Sequence, residues 1–103
     1  MIVIRFKVRC QPDRIEEALA AFSAVVPPSR AVDGVISFDV ARDVVDPHSL
    51  LAVEVFEDDA ARERQESLPE VATVMTLLPE IVAAAPEATV FEVASFADAF
   101  AHV

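Results

Sequence analysis

A chain of 103 residues has room for one hydrophobic core and not for two. At 54% hydrophobic it is too apolar to be disordered, yet its longest apolar runs, such as 81–85, fall far short of the roughly 20 residues of a membrane-spanning helix. Eighteen acids against eight bases leave a net charge of −10, which excludes the clustered Lys and Arg that a nucleic-acid backbone requires.

Much of the apolar content is small: Ala 18 and Val 17, against Leu 6 and Ile 5. Trp, Tyr and Asn are absent. Cys10 stands alone and cannot form a disulfide within the chain. The sequence opens directly into strand-like alternation, without a basic segment leading to an apolar run and a cleavage site, so the expected location is the cytoplasm.

Met1 to Arg9 alternates, with Ile2, Ile4, Phe6 and Val8 on one face and Val3, Arg5, Lys7 and Arg9 on the other; this period of two predicts a half-buried strand. Pro12 and Asp13 open a helix whose apolar stripe is Ile15, Leu19, Phe22 and Val26. Pro27-Pro28 is expected to kink or end it, with a last turn over 29–32 before Gly34, the sole glycine, in a left-handed stop. A second strand is predicted over 35–44, with Ile36, Phe38 and Val40 on one face. Asp46-Pro47-His48-Ser49 is turn chemistry, and 50–57 returns as a third strand, making a hairpin. Asp58-Asp59 caps a second helix with the stripe Leu68, Val71, Met75, Leu78 and Val82, broken or restarted at Pro69 and bracketed by Pro79 and Pro86. The last strand is placed at 89–95, followed by a tail over 96–103 carrying Phe96 and Phe100.

This βαββαβ order predicts an α+β, ferredoxin-like fold: a four-stranded antiparallel sheet with two helices on one face, because both right-handed crossovers deliver their helices to the same side. Strand one is then central. Arg5 and Lys7 on the open face are expected to pair with Glu54 and Glu92 of its neighbours, and a bare face still carrying Val3 and Ala52 predicts a homodimer.

Several segments, in this order, resemble the antibiotic biosynthesis monooxygenase domain family. They are Ile4-Arg5-Phe6-Lys7-Val8 with Gln11-Pro12, Pro28-Ser29-Arg30 four residues before Gly34, Phe38 with Arg42-Asp43, Asp46-Pro47, and Val53-Glu54-Val55-Phe56-Glu57-Asp58 leading into Ala60-Ala61. The resemblance runs over 1–95, taken as a single domain with 96–103 as a tail that packs on a partner subunit. It implies a dimeric α/β barrel and a cofactor-independent monooxygenase of a quinol-like or polycyclic phenolic molecule. Relatives in the family also include haem-degrading enzymes and an isomerase. The haem-degrading reading requires an Asn, a Trp and a helix His that this chain lacks. Gln65 stands where the family commonly has a helix His, Phe56 where it often has Trp, and Glu70 and Val71 replace a later His and Phe.

The candidate catalytic residues are Gln65, as a hydrogen-bond donor to a developing oxyanion, and Glu66 or His48 as a base. Gln65 and Glu66 belong to the run Arg62-Glu63-Arg64-Gln65-Glu66, which also reads as a solvated helix face with an Arg62–Glu66 pair. His48 also reads as a solvated turn residue, and His102 as part of the tail. Phe22, Phe38, Phe56 and Met75 are candidates to line an aromatic-ligand cavity, and serve equally as ordinary core. Two isolated histidines make no metal site, and one glycine allows no phosphate-cradling loop, so no metal and no cofactor is expected. The expected partner is a small-molecule substrate or ligand, with neither nucleic acid nor membrane. Two alternatives stand beside the monooxygenase: a non-catalytic dimeric small-molecule-binding protein, and an isomerase of the same fold.

Overall fold

A computed structural model describes residues 1–101; His102 lies outside the described residues. Strand β1 (Ile2–Arg9) leads through a turn into helix α1 (Ile15–Arg30), then β2 (Val35–Arg42) and β3 (Ser49–Phe56). Two helices follow, α2 (Asp59–Glu66) and α3 (Pro69–Ile81), and β4 (Glu87–Glu92) completes the sheet. The strand order β2-β3-β1-β4 is antiparallel throughout, with β1 central as the sequence predicts. This is the ferredoxin-like α+β fold.

Facing pairs across the ladders fix which side chains share a side. Ile2, Ile4, Phe6 and Val8 stand opposite Phe56, Glu54, Ala52 and Leu50. Nearly all of these are buried beneath the helices. Two expectations are corrected here. Glu54 and Glu92 face Ile4 and Ile2, on the helix side, so they cannot pair with Arg5 and Lys7. Lys7 instead meets Asp43 at 3.2 Å on the open side. Ala52, opposite Phe6, is a core residue and no part of the open face. The open face carries the apolar row Val55, Val3 and Phe91, with Val53 beside it.

Ile36 also departs from expectation. Val35 pairs with Phe56 and Ser37 with Val55, so Ile36 is the extra residue of a bulge and is exposed, while Phe38 and Val40 stay inward. The bulge follows Gly34, whose φ of 88° only glycine adopts readily. A Cβ there would lie 2.6 Å from the Ala61 Cβ, so the bare backbone also lets α2 dock.

Pro27 and Pro28 do not end α1. Each removes one backbone donor, but the carbonyls of Pro28 and Ser29 accept from Ala31 and Val32, which closes the last turn beyond them. Asp58 caps α2 through its side chain, which accepts from the Ala61 amide at 2.9 Å. The predicted break at Pro69 is real: Ser67 and Leu68 interrupt the helix and Pro69 restarts it in the first turn of α3. The buried positions of α3 are Val74 and Ile81, seven apart, with Val71 and Leu78 beside them; Met75 sits at the edge of that face and is 60% exposed. Pro79 lies inside α3 and does not stop it. Strand β4 begins two residues earlier than predicted, and the chain leaves the sheet where the Val93 amide donates to the Met1 carbonyl. Cys10 is fully buried, and burial pushes its thiol pKa up, as expected of an apolar filler.

Candidate functional site

Between sheet and helices lies a cavity of about 390 Å3. Its floor is two cross-strand rows, Phe38–Glu54–Ile4–Val90 and Val40–Ala52–Phe6–Ala88. Ala52 and Ala88 leave the second row low, which is one physical origin of the space. Phe22 and Val25 of α1 close one side; Val71, Val74, Met75 and Leu78 of α3 close another. Met75 and Val90 are both about half exposed and mark the mouth. The polar wall is a single stretch of α2, Arg62, Gln65 and Glu66.

Five of the seven residues singled out in the sequence therefore meet: Phe22, Phe38, Met75, Gln65 and Glu66. Phe56 does not line the cavity. It is fully buried against Ile2, Ile4 and Ala61, one row beyond Glu54. His48 is also elsewhere. Six strand positions separate it from Glu54, roughly 20 Å of extended chain. Its amide donates to Asp46 Oδ1 and its carbonyl accepts from Cys10, while Asp46 Oδ2 accepts from the Ser49 hydroxyl at 2.8 Å. Those bonds hold Asp46 below the usual carboxylate range and make the segment a hydrogen-bonded turn.

Sequence reasoning missed Glu54, the carboxylate of the cavity floor. The signal was present: Leu50, Ala52, Glu54 and Phe56 share one parity, and the other three are core. Burial in this apolar floor, with the negative Glu66 adding to it and Arg62 offsetting it, pushes the Glu54 carboxyl up to about 7. Arg62 is committed elsewhere, donating through Nε to Glu66 Oε1 at 2.7 Å, the pair expected from helix spacing.

Gln65 is only 2% exposed, and its Nε2 donates to the hydroxyl of Ser29, itself fully buried, at 3.0 Å. This bond ties α2 to the last turn of α1. Ser29 was the second omission, because a partner 36 residues away leaves no local trace. Chemically, the cavity offers an aromatic-lined space, one carboxyl that changes charge near neutrality, and one buried amide. Among the described residues no cluster of His, Cys, Asp and Glu can hold a metal ion, and no helix is long and apolar enough to cross a membrane.

Comparison with known proteins agrees with this architecture. An uncharacterized protein of Synechocystis sp. is 27% identical over 93 residues, covering 90% of this chain, and the chain spans 63% of that relative's length. The structure of Rv0793 from Mycobacterium tuberculosis superposes with a TM-score of 0.86 at 20% identity, over 94% of this chain and 98% of that one. PA3566 from Pseudomonas aeruginosa gives 0.82 at 21% identity, over 91% and 94%. A crystal structure of an antibiotic biosynthesis monooxygenase gives 0.82 at 16% identity, over 92% and 100%. These likenesses establish the fold. Residues 1–76 match the sequence model of one family, which takes in the whole floor except β4 and nearly all of the walls, so the chain belongs to the antibiotic biosynthesis monooxygenase family.

Proposed function

We propose that the protein is a cofactor-independent monooxygenase of a quinol-like or polycyclic phenolic molecule, with Glu54 as its base. The observation that carries this reading is a carboxyl, ionising at about 7, set among apolar side chains on the floor of the cavity, while the Glu66 carboxylate on the wall is paired with Arg62. A base is most effective when its pKa lies near the working pH, and a dry pocket favours a carbanion or phenolate that can pass an electron to O₂. On an anthrone-type methylene, Glu54 takes one proton, the carbanion reduces O₂, and the radicals combine to a peroxide. Loss of water then leaves a carbonyl: one methylene and one O₂ give one carbonyl and one water, so the substrate supplies every electron. In this reading Gln65, rather than a residue of the β2–β3 turn, turns its amide from the observed orientation so that Nε2 donates to the developing oxyanion, and Glu66 tunes Glu54 through its charge.

The same reading includes a homodimer. The row Val55, Val3 and Phe91, with the 40% exposed Val53, is an apolar patch on the open face of a sheet, of the kind that a second copy covers. The segment from Phe96 onward packs on that partner, burying Phe96 and Phe100, which are about three-quarters exposed in the single chain.

The test is oxygen uptake with menadiol or dithranol, corrected for spontaneous oxidation and run without flavin, metal or nicotinamide. Turnover that rises with pH through the ionisation of Glu54 and is lost in Glu54→Gln supports the proposal. Background uptake alongside saturable calorimetric binding of the same compounds would instead make the protein a small-molecule binder without chemistry.

A further inference from the structure

The Ser29–Gln65 bridge has an unused degree of freedom. Ser29 Oγ accepts from Gln65 Nε2 and, among the described residues, donates to nothing, although a hydroxyl both donates and accepts. Gln65 Oε1 likewise makes no hydrogen bond among the described residues. It is not sealed off either, since Glu70 Oε2 is the one fully buried side-chain polar atom left without a partner there. The open space that Gln65 borders is the cavity.

A half-turn of the amide about its last torsion exchanges the two ends. The bond to Ser29 survives, now as the hydroxyl donating to Oε1, and the NH₂ group faces the cavity. One orientation offers the ligand an acceptor and the other a donor, and each keeps a single bond to the same buried oxygen. We infer that Ser29 is the positioning residue of a reversible amide, which lets one cavity bind both hydroxyl-bearing ligands and their carbonyl counterparts. Phenol and quinone are the matched pair: the first presents an O–H to Oε1, the second a C=O to Nε2. Well above its pKa of about 7 Glu54 cannot supply this on its own, because the ionised carboxylate only accepts. The inference rests on the cavity being the ligand site of the proposed function, and it does not require turnover.

The chain contains no Asn and only two glutamines, Gln11 and Gln65, so its side-chain amide NMR spectrum holds two NH₂ pairs. Gln11 donates to the carbonyls of Glu80 and Val82, away from the cavity, and serves as the internal control. The probes are 2-naphthol, which brings a hydroxyl, and menadione, which has carbonyls alone. Both should bind the unaltered protein with comparable affinity and leave Gln11 unmoved. They should shift the Gln65 pair differently, menadione drawing one amide proton downfield. Ser29→Ala should weaken both probes by about tenfold, the expected cost of an amide left without its anchor, and Ser29→Thr should restore them.

Identical Gln65 shifts with the two probes, or strong preference for one of them, would overturn the inference even if Ser29→Ala fails to fold. Unchanged affinities in a folded Ser29→Ala would overturn it as well. Failure of both probes to bind would remove the ligand site and the inference together. Binding of both with distinct Gln65 shifts, but without oxygen uptake from menadiol, would support the inference and defeat the monooxygenase.

Discussion

Arg62 Nε donates to Glu66 Oε1 at 2.7 Å, while no hydrogen bond or ion pair reaches the Glu54 carboxyl among the described residues, although all three side chains line one cavity. The guanidinium thus neutralises the carboxylate at the rim and leaves the one on the floor to be governed by burial. Glu66→Gln removes a like charge and releases Arg62, and both effects favour ionised Glu54. Its pKa should fall below 7. Arg62→Met should raise it. Carboxyl carbon NMR of Glu54 across a pH titration reads both directions, and shifts of the same sign would refute this division of charge.

A carboxyl raised from its ordinary 4.5 to about 7 makes stability depend on pH in the reverse of the usual carboxylate sense. Between those values the folded chain holds a proton that the unfolded chain releases, so this group's contribution is full below 4.5 and declines as pH rises to about 7. Glu54→Gln should abolish that decline. At pH 8 the variant should be more stable by about 1 to 3 kcal/mol, and near pH 4 about equal. Urea midpoints at the two pH values decide it.

Gly34→Ala should be among the more destabilising single-methyl changes. The new Cβ meets the Ala61 Cβ at 2.6 Å and the backbone sits at a φ of 88°. A loss of about 1 to 3 kcal/mol follows from strain plus overpacking, visible as a lowered Tm. A change of under about 0.5 kcal/mol would mean that α2 shifts away freely.

Phe91→Asp should convert the proposed dimer to monomer, because it sets a charge at the β4 end of the apolar row on the open sheet face. Light scattering should give about twice 11.1 kDa for the unaltered chain and 11.1 kDa for the variant. A monomer in both would remove the dimer and the barrel with it.

Gln65→Ala should cost about a hundredfold in turnover of a phenolic substrate if the amide serves the developing oxyanion. His48→Ala should leave turnover unchanged, since the turn that holds it lies away from the cavity. Oxygen uptake under saturating substrate measures both, and equal losses would argue for a general loss of structure.

The strand order and the inward face of β1 were legible because alternation is a local signal. The polar wall of α2 was legible through the family resemblance. Glu54 was misread because charge was given more weight than parity: a strand carboxylate ordinarily points to water, whereas its neighbours Ala52 and Phe56 already required it to point inward. Ile36 was misplaced because a one-residue bulge inverts the alternation behind it without any change in composition. Met75 was assigned to the buried stripe because it lies four residues after Val71 and three before Leu78, whereas the face that is buried is centred one position earlier, on Val74 and Ile81. Ser29 and Gln65 meet only when α1 and α2 pack, and nothing in either segment announces the other.

Helix α2 buries only Ala61 and Gln65 along its eight residues. What fastens it is polar: the Asp58 cap, the Ser29–Gln65 bond, and Arg64 donating twice to the Asp33 carbonyl. This side of the cavity is therefore held by a few directional bonds and the close approach of Gly34 to Ala61, where the sheet and α1 are held mainly by buried apolar area. The polar residues that would meet a ligand, Arg62, Gln65 and Glu66, thus ride on a helix fastened chiefly by hydrogen bonds. How fast a ligand comes and goes should follow the strength of those few bonds, independently of how well it fits once inside.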